Sequence, residues 1–112
     1  MIEEEIEYKI LKSLDENPQL SQRELAAEIG LSLGKINYCI KALMGKGWIK
    51  AQNFKNSKNK AAYLYVLTPG GIDGKVKLVR NFIQRKVLEY DELRQEIGNL
   101  RKESEEMERR AK

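Results

Sequence analysis

The chain has 112 residues, 34% charged and 41% hydrophobic, with a net charge of +4, no histidine and one cysteine, Cys39. That length is one domain with room for an appended helix, and the missing residues exclude His-based triads, Cys/His zinc sites and an internal disulfide. No apolar run approaches the ~18–20 residues of a membrane span, and the acidic start Met1-Ile2-Glu3-Glu4-Glu5 is unlike a secretory signal, so a cytoplasmic, reducing setting is expected, with no membrane or metal partner.

Periodicity predicts a first helix over residues 2–16. Ile2, Ile6, Ile10 and Leu14 recur at four-residue steps with Leu11 beside them, and Glu3, Glu4, Glu5 and Glu7 favour the N-terminal end of the helix dipole. Asn17-Pro18 ends it, because the residue before proline avoids the α region. Ser21-Gln22-Arg23-Glu24 is a capping box for a second helix, with Leu25, Ala26 and Ile29 on one face and Gly30 suited to its C-terminal cap. Ser32 caps a third helix running to about Lys46, whose inward stripe is Ile36, Ile40 and Leu43. With only Gly30-Leu31 between them, the second and third helices form a helix-turn-helix.

Gly45 and Gly47 bracket the end of the third helix, and the pattern then changes. Trp48–Phe54 and Ala62–Leu67 are rich in aromatic and β-branched residues and flank the polar tract Lys55-Asn56-Ser57-Lys58-Asn59-Lys60, the pattern of a β-hairpin with a basic tip. Trp48 is expected in the core, anchoring the first strand. The second strand is apolar on both faces, so periodicity does not choose its inner one. Thr68-Pro69 starts another helix, threonine as cap and proline at the first helical position, and Gly70-Gly71 reads as a tight turn at that start. From Ile72 a heptad-like stripe follows: Val76, Val79, Ile83, Lys86, Tyr90, Leu93, Ile97, Leu100, Ser104 and Met107. Gly98 interrupts it without a reason visible in the sequence. A helix over 69–111 would be about 65 Å long, too long to bury its stripe on a 68-residue head. The stretch 72–83 suits packing on its own domain, and the part beyond Tyr90 suits pairing with a second copy.

The expected fold class is therefore mainly α with a small β-hairpin: a winged helix-turn-helix DNA-binding domain over 1–68, then a long C-terminal coiled-coil dimerisation helix over 69–112. In this fold the third helix, 32–46, enters the DNA major groove and the hairpin tip, 55–60, meets the backbone or minor groove. Charge agrees with that order. Residues 1–28 carry −5, residues 73–112 carry +2, and the 44 residues 29–72 between them hold seven lysines and no acid. Such a stretch suits a polyanion, although a solvated lysine-rich face has the same composition.

With Ile36, Ile40 and Leu43 inward, the outer face of the third helix carries Gly34, Lys35, Asn37, Tyr38 and Lys41. Asn37 both donates and accepts, as bidentate adenine recognition requires; Tyr38 can stack on a sugar or meet a thymine methyl, Lys41 can reach guanine or phosphate, and Gly34 permits close backbone approach. Ser21, Gln22 and Ser32, at helix starts, are candidate phosphate partners, although capping alone explains both serines. Lys55, Asn56, Lys58 and Lys60 are the candidate contacts of the wing, or serve only its solubility. Cys39, beside the core stripe, reads as a small hydrophobe, with a redox-sensing thiol as the alternative. The candidate dimer interface is Ile83, Tyr90, Leu93, Ile97, Leu100 and Met107.

The run Leu31-Ser32-Leu33-Gly34-Lys35-Ile36-Asn37-Tyr38-Cys39, with Asn53-Phe54-Lys55-Asn56-Ser57-Lys58-Asn59-Lys60 and Tyr63-Leu64-Tyr65-Val66-Leu67-Thr68-Pro69, resembles the MarR-type winged-helix regulators associated with exopolysaccharide gene clusters. The resemblance covers nearly the whole chain. It implies a dimer that reads DNA through the third helix. Broader MarR relatives dimerise through terminal helices flanking a ligand cavity, whereas this chain has one long terminal helix and no evident cavity-forming set. The expectation is a sequence-specific, dimeric, duplex-DNA-binding transcriptional regulator preferring an inverted-repeat operator, with no cofactor. The alternative is a winged-helix and coiled-coil protein-interaction module without specific DNA binding, which has no need to exclude every acid from residues 29–72. With no nucleophile–base pair to nominate, an enzyme is not expected.

Overall fold

The computed structural model describes residues 3–55 and 61–112. Six elements follow in order: α1 (Glu4–Glu16), α2 (Gln22–Ile29), α3 (Leu33–Gly45), β1 (Ile49–Lys55), β2 (Ala61–Leu67) and α4 (Pro69–Ala111). The architecture is a winged helix-turn-helix followed by a long helix. Residues 1–79 form one compact unit and residues 80–112 a second.

Local chemistry sets the helix ends of the first unit. Asn17 closes α1, and its Oδ1 accepts from the Gln19 backbone N–H. The capping box of α2 is complete: Glu24 N–H donates to Ser21 Oγ at 3.1 Å, and Ser21 N–H donates to Glu24 Oε1 at 3.2 Å. Gly30, at φ 82°, takes the left-handed conformation at the end of α2, which a residue with a Cβ adopts at a cost. Ser32 Oγ then accepts from Lys35 N–H at 3.1 Å to start α3.

The core is the junction of the three helices. Ile10, Leu11 and Leu14 of α1 meet Leu25 and Ala26 of α2 and Ile36, Cys39, Ile40 and Leu43 of α3; Leu20, Ile49 and Leu78 close its edges. β1 and β2 pair antiparallel from Ile49↔Leu67 to Lys55↔Ala61. Tyr65 and Leu67 pack on the core, so tertiary contact chooses the inner face that alternation leaves open.

Two expectations for the start of α4 are corrected. Gly70 and Gly71 lie inside the helix, with no tight turn. Thr68 is its cap, accepting from Gly71 N–H at 3.0 Å while its hydroxyl donates to the Gly47 carbonyl. A Cβ at Gly71 would stand 1.9 Å from the Trp48 carbonyl oxygen, and one at Gly74 2.7 Å from the Trp48 indole. The two glycines form a notch that receives Trp48, which is half-buried and packs against the core as well as against α4. The face of α4 turned to its own domain is accordingly Gly71, Gly74 and Leu78, spaced i, i+3, i+7. Ile72 and Val76, expected there, are 53% and 42% exposed.

The second unit is helical to Ala111. Ile83, Val87, Leu88, Tyr90, Leu93, Ile97, Leu100 and Met107 are all exposed on it. No helix among the described residues is long and apolar enough to cross a membrane.

Candidate nucleic-acid interface

At ~100° per residue, Ile36, Cys39, Ile40 and Leu43 hold one side of α3 against the core. Gly34, Tyr38 and Lys41 then fall on the opposite side, with Lys35 and Asn37 on its two flanks. Gly34, Lys35, Tyr38 and Lys41 are exposed, Tyr38 by 52%. The Lys35 ammonium lies 6.0 Å from the centre of the Tyr38 ring, at the edge of cation–π range. A Cβ at Gly34 would meet nothing within 4 Å, so no contact of the fold demands glycine there.

Asn37 is only half-buried and is engaged. Its Nδ2 donates to Gln22 Oε1 at 3.1 Å, and Gln22 Nε2 donates to the Tyr65 hydroxyl at 3.0 Å. One chain of hydrogen bonds thus joins α3, the first residue of α2 and the second wing strand. Gln22, a candidate for phosphate, uses Oε1 and one Nε2 hydrogen in this bridge and keeps its second Nε2 hydrogen as a donor. Tyr65 is missing from the sequence-derived site, because its partner lies 43 positions away and the strand pattern left its direction open.

Ser21 and Ser32 use Oγ as caps. Each hydroxyl hydrogen is still a donor, so capping and phosphate contact are compatible. The side chain of Lys55, and Asn56, Lys58 and Lys60, lie outside the described residues. Lys46 counts toward the basic stretch but is partly neutralised: it pairs with the carboxylate of Glu7, a residue 4% exposed, and sits 4.4 Å from the Trp48 ring centre. The acid-free stretch is therefore less positive in space than along the chain. Lys35, Lys41 and Lys50 remain exposed on it.

Cys39 is wholly buried. Burial pushes its thiol above the ordinary value of 9.0, with Lys35 opposing and Glu7 adding to the rise, the electrostatics of a packing residue and not of a poised thiolate. The described residues contain no group of three or more Cys, Asp or Glu side chains arranged to hold a metal.

Comparison with known proteins bears on the same region. The family model described as winged helix-turn-helix DNA-binding matches residues 3–50. No curated protein matches the sequence. Among solved structures, the transcriptional regulator SlyA aligns with a TM-score of 0.60 at 24% identity, over 73% of this chain and 56% of its own. The PcaV transcriptional regulator from Streptomyces coelicolor aligns at 0.61 and 20% identity, over 74% and 60%. A MarR/EmrR family transcriptional regulator from Acinetobacter sp. ADP1 aligns at 0.58 and 22% identity, over 89% and 75%. The chain thus spans under two thirds of the length of the first two. At these identities the likeness is one of fold, the winged helix-turn-helix of MarR-family regulators.

Proposed function

We propose that the chain is a MarR-type, sequence-specific regulator of transcription that binds double-stranded DNA in the cytoplasm as a homodimer. The observation that supports this best is the outer face of α3, where Gly34, Lys35, Tyr38 and Lys41 lie exposed without an acid among them, on a fold that presents this helix to the major groove. Ser21 and Ser32 stand at the N-terminal ends of α2 and α3, where backbone N–H groups favour phosphate. The exposed apolar side chains from Ile83 to Met107 favour pairing of α4 with a second copy, and a two-fold protein reads an inverted repeat. The resemblance of the α3 and wing segments points further, to control of exopolysaccharide genes.

The test is selection of the purified chain against a random duplex library at near-physiological salt. An enriched inverted repeat, with half-sites about one helical turn of ~34–36 Å apart, is expected, and its occurrence upstream of polysaccharide genes checks the finer assignment. A single half-site removes the dimer from the proposal. Loss of all binding as salt rises, with nothing enriched, leaves the protein-interaction reading in its place.

A further inference from the structure

We infer that Gln22 is a positioning residue for sequence recognition: it holds the Asn37 carboxamide in the one orientation that matches adenine, and through Tyr65 it ties that orientation to the wing. The inference rests on the DNA-binding reading and deepens it.

The two ends of an asparagine amide are nearly the same size but opposite in hydrogen-bonding sense. A freely turning Asn37 presents either end and selects weakly. In the structure Asn37 Nδ2 is held by Gln22 Oε1 at 3.1 Å. That bond uses one amide hydrogen and leaves Asn37 a second N–H donor together with the Oδ1 acceptor. Adenine offers the complement in the major groove, an N7 acceptor beside an N6 donor, whereas guanine offers two acceptors.

Gln22 must itself be held for this to work. It is the first residue of α2, half-buried, and its Nε2 donates to the Tyr65 hydroxyl at 3.0 Å. With Gln22 Nε2 donating to the Tyr65 hydroxyl, it is Oε1 that faces Asn37 and accepts from its Nδ2, so Tyr65 holds the Gln22 side chain in place and Gln22 Oε1 sets the sense of Asn37. Tyr65 pairs across the hairpin with Ala51 and packs on the core, which makes the bridge a link between recognition helix and wing. The geometry explains the half-burial of Asn37: it lies one residue, ~100° round α3, from the fully buried Ile36.

The experiment repeats the duplex selection with Asn37→Ala, Gln22→Leu, Gln22→Glu and Tyr65→Phe, each checked for an unchanged circular dichroism spectrum. Asn37→Ala identifies the operator position by loss of its adenine preference. Gln22→Leu frees the amide and lowers discrimination at that same position by about tenfold, well beyond any change in nonspecific affinity. Gln22→Glu still accepts from Asn37 and now also from the Tyr65 hydroxyl; it keeps the adenine preference while its added charge weakens binding to every sequence alike. Tyr65→Phe lowers discrimination less than Gln22→Leu, since the Gln22–Asn37 bond survives. Full adenine preference in Gln22→Leu, a loss spread evenly over all sequences in that variant, or loss of the preference in Gln22→Glu overturns the positioning role. Failure of the unaltered chain to enrich any site removes the DNA reading itself, an outcome distinct from an enriched site indifferent to Gln22.

Discussion

Tyr38 and Lys41 act at the scale of single residues, and both are exposed on the side of α3 away from the core. Tyr38→Ala or Lys41→Ala is expected to weaken specific binding by about 1–3 kcal/mol and nonspecific binding far less, measured by titrating operator and scrambled duplexes; equal losses would assign both side chains to the backbone alone. Two buried groups make stability predictions. Glu7 is enclosed with its charge paired to Lys46, whose own side chain is about half exposed. Lys46→Met leaves that carboxylate buried and unpaired, at a cost of about 1–3 kcal/mol in urea unfolding. Cys39 holds its proton more tightly in the folded state, so its contribution to stability is intact below the ordinary thiol value and falls as pH rises through it. A thiol reagent at pH 8 is accordingly expected to react with Cys39 only as fast as the domain opens.

At the scale of elements, the notch on α4 is the contact most sensitive to a single methyl. Gly71→Ala forces a Cβ onto the Trp48 carbonyl, a backbone atom that moves only if the start of α4 moves; destabilisation of about 2–3 kcal/mol is expected by thermal or urea unfolding. Gly74→Ala meets the indole ring instead, which can tilt, so its cost should be smaller. Gly98 behaves oppositely. A Cβ there meets nothing within 4 Å, and Gly98→Ala should stabilise the helix by about 1 kcal/mol, unless a second chain packs against that point, in which case the gain disappears at concentrations where the chain is dimeric. The helix-turn-helix was legible because its signals are local: caps at Ser21 and Ser32, Gly30 between them, apolar residues at helical spacing. The notch was not, because Gly71 and Gly74 matter only through Trp48, which belongs to another element.

For the whole molecule, the proposed function rests on the exposed apolar residues of α4 and the basic face of α3. Leu93→Asp combined with Leu100→Asp puts charges into the proposed seam, and light scattering should then report a monomer; an unchanged mass would remove these residues from the interface. Binding of operator by the unaltered chain should weaken steeply with salt, log affinity falling by about 0.9 per phosphate neutralised for each unit of log salt. Lys46 is expected to add little to that slope, because Glu7 already pairs with it.

What the sequence by itself determined is whatever rests on neighbours in the chain. The order of elements, the ends of α2 and α3, the inward stripe Ile36, Ile40 and Leu43 and the outer position of Tyr38 and Lys41 all follow from spacing and capping, which act over a few residues. Tertiary structure alone decided the rest. It turned Tyr65 and Leu67 inward on a strand apolar on both sides, joined Asn37 to Tyr65 through Gln22, paired Glu7 with Lys46, and set Gly71, Gly74 and Leu78 against the domain in place of Ile72 and Val76. Each of these joins residues from separate elements, and a hydrogen bond or packed ring between such residues leaves no period in the sequence to read.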